Sequence, residues 1–146
     1  MLHARTLIGA LTGISLLMLA GSAVAADGDA ANGLTVFKKC TACHKVGDGA
    51  KNGVGPQLNG IVGRKTGTAE SFNYSPLNKA AGVHGLVWTE EAMVEYLADP
   101  KSFLYKYLES KGNKDLATGS TKMTFKLADE QQRRDVVAYL KSLAKP

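Results

Sequence analysis

The chain has 146 residues, a formal net charge of +5, 45% hydrophobic residues and 16 glycines, with a pI of about 9.2. That length suits one domain and argues against a multidomain enzyme, since domains commonly run to roughly 100–150 residues. Nucleic-acid binding is disfavoured as well, because the aromatics, 7% of the chain, are needed for the core of so small a domain and are not spare for stacking on bases.

Taken in chain order, residues 1–26 carry one charge, Arg5, ahead of a mainly apolar run from Leu7 to Ala20, and Ala23-Val24-Ala25 fits an A-x-A cleavage site. This predicts a cleaved secretory leader over 1–26 and a mature domain over 27–146. The alternative is a transmembrane anchor, but the run is about 14 residues where roughly 20 are needed to cross a bilayer. Losing the leader removes Arg5 and no acid, so the mature chain stays basic. Lys101, Lys106, Lys111, Lys114, Lys122 and Lys126 face only Glu109 and Asp115 in their stretch, and Lys38, Lys39, Lys45, Lys51 and Lys79 add to them. Such a surface either attracts acidic partners by electrostatic steering or is a solvated face.

A first helix is predicted from about Asp29, a good N-cap, to Lys39, with Gly33, Leu34 and Phe37 on one face. Directly after it stands Cys40-Thr41-Ala42-Cys43-His44, the C-x-x-C-H pattern of covalent haem attachment. Two thiols three residues apart on a helical turn pin one edge of a porphyrin and bring the next side chain, His44, under the iron. Three rivals compete for these residues. A thioredoxin-like dithiol needs a surrounding βαβ pattern, which is absent. A zinc site needs about four ligands, and beyond the leader only His84 remains as a further histidine. A plain disulfide leaves the adjacent histidine to chance.

The stretch from the motif to the next predicted helix is roughly fifty residues, a length that signals either a missed element or a cofactor. The second helix runs from Thr89 to Asp99 and is stopped by Pro100. A third begins at Asp129, whose pairing with Gln132 resembles a capping box, and turns Val136, Val137, Leu140 and Leu143 inward. A haem iron held by one histidine is either open for chemistry or closed by a second side chain, and the candidates are His84, Met93 and Met123. Met93 lies with Tyr96 and Leu97 at helical spacing, which predicts packing. His84 sits in a glycine-flanked loop and is expected to be exposed. Met123, in Lys122-Met123-Thr124-Phe125 before the last helix, is the favoured thioether ligand. Its soft neutral sulfur stabilises the lower iron oxidation state and so raises the potential.

At this point the sequence resembles the class I c-type cytochromes, most of all the bacterial cytochrome c2 type related to mitochondrial cytochrome c. The likeness spans nearly all of residues 28–145. It is carried in order by Gly33 with Phe37, Cys40-x-x-Cys43-His44, Gly55-Pro56, Arg64, Phe72-Asn73-Tyr74, Trp88, Tyr96-Leu97, Lys122-Met123-x-Phe125 and Tyr139-Leu140. The resemblance implies an all-α class I cytochrome c fold, with three main helices and long loops wrapped around one covalently bound haem c. Gly33 would let the first helix cross the last near Val136 and Tyr139. It implies that Cys40 and Cys43 form the thioethers, that His44 and Met123 ligate iron, and that the Pro56 carbonyl accepts from His44 Nδ1, a supporting contact that physics also expects. Arg64, Tyr74 and Trp88 would hold the propionates, and Tyr96, Asn78 and Thr121 would lie near Met123. Core packing is the competing role for each aromatic. The chain departs from the mitochondrial pattern by extra residues around Ala80 to Leu86 and from Lys101 to Thr121.

The expected function is therefore a soluble periplasmic single-electron carrier, a monomer and not an enzyme. Its exposed haem edge would dock through lysines on acidic sites of membrane complexes, with a bc1-type donor and an oxidase or photosynthetic reaction centre as acceptor. A small peroxidase would need a distal His or Arg, and none can be assigned. A ligand sensor would need an output domain. Lys122 is a further candidate ligand at high pH.

Overall fold

The computed structural model describes residues 27–144; the predicted leader lies outside them. Five α-helices follow one another: α1 (Ala30–Phe37), α2 (Pro76–Val83), α3 (Glu90–Ala98), α4 (Pro100–Ser110) and α5 (Glu130–Ser142), with a 3-10 turn at Lys114–Leu116. No strand occurs among the described residues beyond a single antiparallel bridge between Lys65 and Val87. The chain is all-α, as expected. None of the described helices is long and apolar enough to cross a membrane.

Each α-helix starts on a residue whose side chain captures a free backbone N–H. Asp29 accepts from Ala31 and Asn32, Ser75 from Asn78, Thr89 from Ala92, Asp99 from Ser102, and Asp129 from Gln132. A cap of this kind contributes about 1 kcal/mol. The two helices absent from the three-helix expectation, α2 and α4, both open with proline in the first turn behind a capping Ser75 or Asp99. Pro100 does end α3, because Asp99 before it is extended (φ −157°, ψ 97°). It also begins α4, since proline has no N–H to lose in a first turn. α2 divides the long stretch after the motif, and α4 with the 3-10 turn forms most of the Lys101 to Thr121 insertion.

The central crossing is α1 on α5. Gly33 lies flat on the other helix: a Cβ there would stand 2.0 Å from the Asp135 carbonyl oxygen and 2.7 Å from Tyr139 Cβ. The close approach lets Phe37 pack on Tyr139 at 5.4 Å between ring centroids, and it brings the Asp29 N–H to buried Asp135 at 2.9 Å. Val36, Phe37, Val136, Val137 and Leu140 are buried at this crossing, while Trp88, Met93, Tyr96, Leu104 and Leu108 continue the same core beneath α3 and α4. Gly82 makes a second close contact, where a Cβ would meet the Thr66 carbonyl oxygen at 2.0 Å and so push α2 off the loop that follows Arg64.

Candidate functional site

The cysteine pair sits where α1 unwinds. Past Phe37 the chain tightens into three-residue turns, with Lys39 N–H on the Val36 carbonyl and Cys40 N–H on that of Phe37. Cys43 and His44 both donate to the Cys40 carbonyl, at 3.1 and 2.9 Å, so the five motif residues form one turn. Both cysteines are free and half-buried. Burial, with Cys43 alongside, pushes the Cys40 thiol up, against the opposing pull of Lys39. An uncharged sulfur is thus favoured there, and a thioether is uncharged.

His44 is fixed from two sides. Its Nδ1 lies 2.8 Å from the Pro56 carbonyl oxygen. A carbonyl only accepts, so Nδ1 carries the proton and Nε2 presents its lone pair. Gly55 makes room for the ring, since a Cβ would stand 2.4 Å from His44 Cε1, and Gly55 N–H holds the Cys43 carbonyl at 2.9 Å. Burial lowers the His44 pKa, while the Pro56 hydrogen bond acts the other way. The neutral imidazole that a metal requires is the favoured state.

Arg64 and Trp88 are brought together by their backbones. Trp88 N–H donates to the Arg64 carbonyl at 3.0 Å, and Gly63 N–H to the Trp88 carbonyl at 2.8 Å. The Arg64 guanidinium donates to the carbonyls of Gln57 and Asn59 at 3.0 and 3.2 Å. Burial lowers its pKa, and the nearby Tyr74 counters this. The Tyr74 hydroxyl accepts from Ala69 N–H at 3.3 Å. Trp88 stacks edge-on against Tyr96 at 4.7 Å. Thr66, two residues past Arg64, is buried and its hydroxyl has no partner.

Met123 is half-buried against the core and belongs to a polar cluster that sequence reasoning placed only in outline. The hydroxyls of Ser75 and Thr121 both donate to Asn78 Oδ1, at 2.8 and 3.0 Å, and Thr121 Oγ1 accepts from Met123 N–H at 3.3 Å. The Tyr96 hydroxyl bonds to Thr121 and Asn78, and burial outweighs these contacts to raise its pKa. Ser75 was not anticipated; Ser75-Pro76 is the only local signal for it, as a cap before a first-turn proline. Of the competing ligands, Met93 is buried in α3, as the packing expectation held. His84 is half-buried at the end of α2, its carbonyl accepting from Tyr107 at 3.1 Å and its Nδ1 lying 3.1 Å from Asn113, where full exposure was expected. Lys122 reaches the Asn73 carbonyl.

These residues fit a haem. The donor set is two thiols and one oriented imidazole on a single turn, and the buried, unpartnered Thr66 hydroxyl, two residues past Arg64, suits a group bearing carboxylates. Among the described residues no three His, Cys, Asp or Glu side chains gather as a metal site, so a four-ligand zinc centre lacks its ligands. The class defined by fold and site is an all-α protein that attaches haem covalently.

The comparisons agree. The cytochrome c family model matches residues 30–144. Cytochrome c2 of Rhodopseudomonas palustris is 64% identical over 115 residues, 79% of this chain and 98% of that protein. Cytochrome c2 iso-2 of Rhodospirillum centenum is 58% identical over 118 residues, covering 81% and 98%. The solved structure of cytochrome c2 from Rhodospirillum centenum superposes with a TM-score of 0.80 at 58% identity, over 81% of this chain and all of that one. The ferricytochrome c2 of Rhodopseudomonas palustris gives 0.75 at 61%, covering 79% and 98%. The chain belongs to the cytochrome c family, as a class I c-type cytochrome of the cytochrome c2 kind. It is an electron carrier with one covalently bound haem c.

Proposed function

We propose that this electron carrier works in the periplasm with an iron closed by His44 and Met123, and that it performs no catalysis of its own. Haem c, when bound, supplies a one-electron ferric and ferrous iron couple. The chain does the rest. Cys40 and Cys43 hold the macrocycle edge as thioethers, and the Pro56 carbonyl keeps the His44 proton on Nδ1 so that Nε2 is free to ligate. Arg64, Tyr74 and Trp88 hold the propionate side. Tyr96, Asn78 and Thr121 position the methionine segment. The observation that carries this reading is the hydrogen-bonded line from Asn78 through Thr121 to the Met123 N–H, together with an attachment turn whose histidine is already oriented on the Pro56 carbonyl.

The Met123 thioether, held together with the His44 imidazole, would raise the reduction potential of the bound haem by favouring the ferrous state. With His44 and Met123 as its ligands in both oxidation states, the bound iron would need little movement of the chain as an electron came or went. The lysines named from the sequence are all exposed, which suits acidic docking sites on a bc1-type donor and on an oxidase or reaction centre. Cleavage of the leader after residue 25 or 26 would deliver the monomer to that compartment. Nucleic acid is not among the proposed partners.

The test is the ferric absorption spectrum, in which a weak long-wavelength thioether-to-iron charge-transfer band marks methionine ligation. Met123→Ala should abolish the band, lower the potential and admit small exogenous ligands. An unchanged potential and a still-closed iron in that variant would refute the ligand assignment. Electron transfer to the membrane partner should slow as salt rises through the range that screens exposed charges.

A further inference from the structure

We propose that Tyr105 of α4 is a positioning residue for the methionine ligand, its hydroxyl fastening the chain at Gly119 and so setting how readily Met123 leaves the iron. This rests on the assignment of Met123 as ligand. The Tyr105 hydroxyl donates to the Gly119 carbonyl at 2.7 Å. The Lys101 ammonium lies 5.2 Å from the centroid of the Tyr105 ring.

Among the described residues, no backbone-to-backbone hydrogen bond involves 118–126; the nearest are Ala117 N–H to Lys114 and Leu127 N–H to Leu97. The segment bearing Met123 is therefore secured by side chains. Thr121 is held on Asn78, Lys122 on the Asn73 carbonyl, and Lys126 on Asp99 at 2.5 Å. Tyr105 is the tether at the upstream end. It acts at Gly119, whose φ of +78° favours glycine and makes the residue a natural pivot. A groove between the start of α4 and this segment, lined by Pro100, Lys101, Tyr105, Thr121 and Met123, leaves room for the segment to move once the tether is cut.

The test uses the ferric holoprotein with imidazole as the incoming ligand. Imidazole binds only when Met123 has left, so its apparent affinity is scaled by the fraction of open molecules. Losing one neutral hydrogen bond raises that fraction by about 2- to 10-fold. Tyr105→Phe should therefore bind imidazole about 2- to 10-fold more tightly, with faster loss of the charge-transfer band at saturating imidazole. Tyr107→Phe is the control. It loses a comparable bond, to the His84 carbonyl at 3.1 Å, from the same helix but away from the methionine segment. Its imidazole affinity should equal that of the unsubstituted protein, although both variants lose global stability. Equal affinities in Tyr105→Phe and the unsubstituted protein, or equal gains in both variants, overturn the tether. If the unsubstituted protein lacks the charge-transfer band, or Met123→Ala binds imidazole no better, the ligand assignment falls and the tether falls with it.

Discussion

Replacing Gly33 by alanine tests the crossing on which the attachment turn is built. A Cβ at this position would lie 2.0 Å from the Asp135 carbonyl oxygen, 2.6 Å from its carbon and 2.7 Å from Tyr139 Cβ. The first two are helix backbone and cannot rotate away, so α1 and α5 would have to part by roughly 1.5 Å to reach ordinary contact near 3.5 Å. Overpacking of this kind costs about 1–3 kcal/mol, and rigid obstacles favour the upper end. Alanine also gains about 1 kcal/mol over glycine inside a helix. The net expectation is a loss of about 2 kcal/mol, because separation also strains the Phe37 and Tyr139 contact and the Asp29 N–H bond to Asp135. With a urea m-value of about 2 kcal/mol/M, the unfolding midpoint of the holoprotein should fall by about 1 M at unchanged m. Thr35→Ala, at an exposed position of α1, supplies the opposite sign, a gain of a few tenths of a kcal/mol from propensity. A midpoint for Gly33→Ala equal to or above that of the unsubstituted protein would refute the close-crossing argument.

Gly55→Ala should act on the histidine, because the new methyl would sit 2.4 Å from His44 Cε1 and drive the ring off the Pro56 carbonyl; a changed ferric spectrum and a stability loss of about 1–3 kcal/mol are expected, and an unperturbed spectrum would show that the ring has space to spare. The Asp99 carboxyl is held below its ordinary range by its hydrogen bond from Lys126, then by Ser102 N–H. A depressed folded-state pKa contributes stability above the unfolded value near 4 that is lost as pH falls through the folded value. Urea midpoints measured from pH 7 to pH 3 should drop more steeply in the unsubstituted protein than in Asp99→Asn, and parallel curves would discount the pair. Tyr96 is shifted upward, chiefly by burial, so its contribution is complete below about pH 10 and lost as pH rises through the folded value. Spectrophotometric titration of the five tyrosines should show a late-ionising phase, and Tyr96→Phe should diminish it.

The legible parts of this molecule were those whose signal is local. Cys40, Cys43 and His44 announce their chemistry by spacing alone, and α1, α3 and α5 by periodicity between recognisable caps. Gly33 was placed correctly against the last helix, though only through resemblance, since one sequence does not say what a glycine faces. α4 is not legible because Pro100 reads only as the stop of α3, and α2 because it lies inside the long stretch after the motif with only Ser75-Pro76 to mark its start. In each case the residue before proline is an extended capping side chain and the residues after it bring Leu77 and Ala81, or Leu104 and Leu108, to one buried face. Proline there marks a beginning as well as an end. What no local pattern carries is the meeting of distant segments. Ser75 with Thr121, Gly82 on the Thr66 carbonyl, and Tyr105 on Gly119 are each joined only after the chain has folded.

The two sides of the site are held by different means, and the difference bears on how an electron carrier of this design behaves. On the histidine side the constraints are short-range: backbone hydrogen bonds from Cys43 and His44 to the Cys40 carbonyl and from Gly55 to the Cys43 carbonyl, the Pro56 carbonyl, and, in the proposed reading, thioethers when haem is attached. On the methionine side, Asn78 from α2, Tyr96 from α3 and Tyr105 from α4 reach over to a segment, 118–126, that has no backbone-to-backbone hydrogen bond among the described residues. Ser75, Asn78, Tyr96 and Thr121 are buried and neutral. They present fixed dipoles and introduce no buried charge that would need a partner. In the proposed reading, dipoles locked in mutual hydrogen bonds would respond little to a unit change of charge on a bound haem iron, which would keep the rearrangement accompanying each transfer small. The same neutrality means that each tether is worth only about 1 kcal/mol. In the proposed reading the methionine side is therefore ordered enough for electron transfer, yet one side-chain bond away from a measurable change in how often it opens.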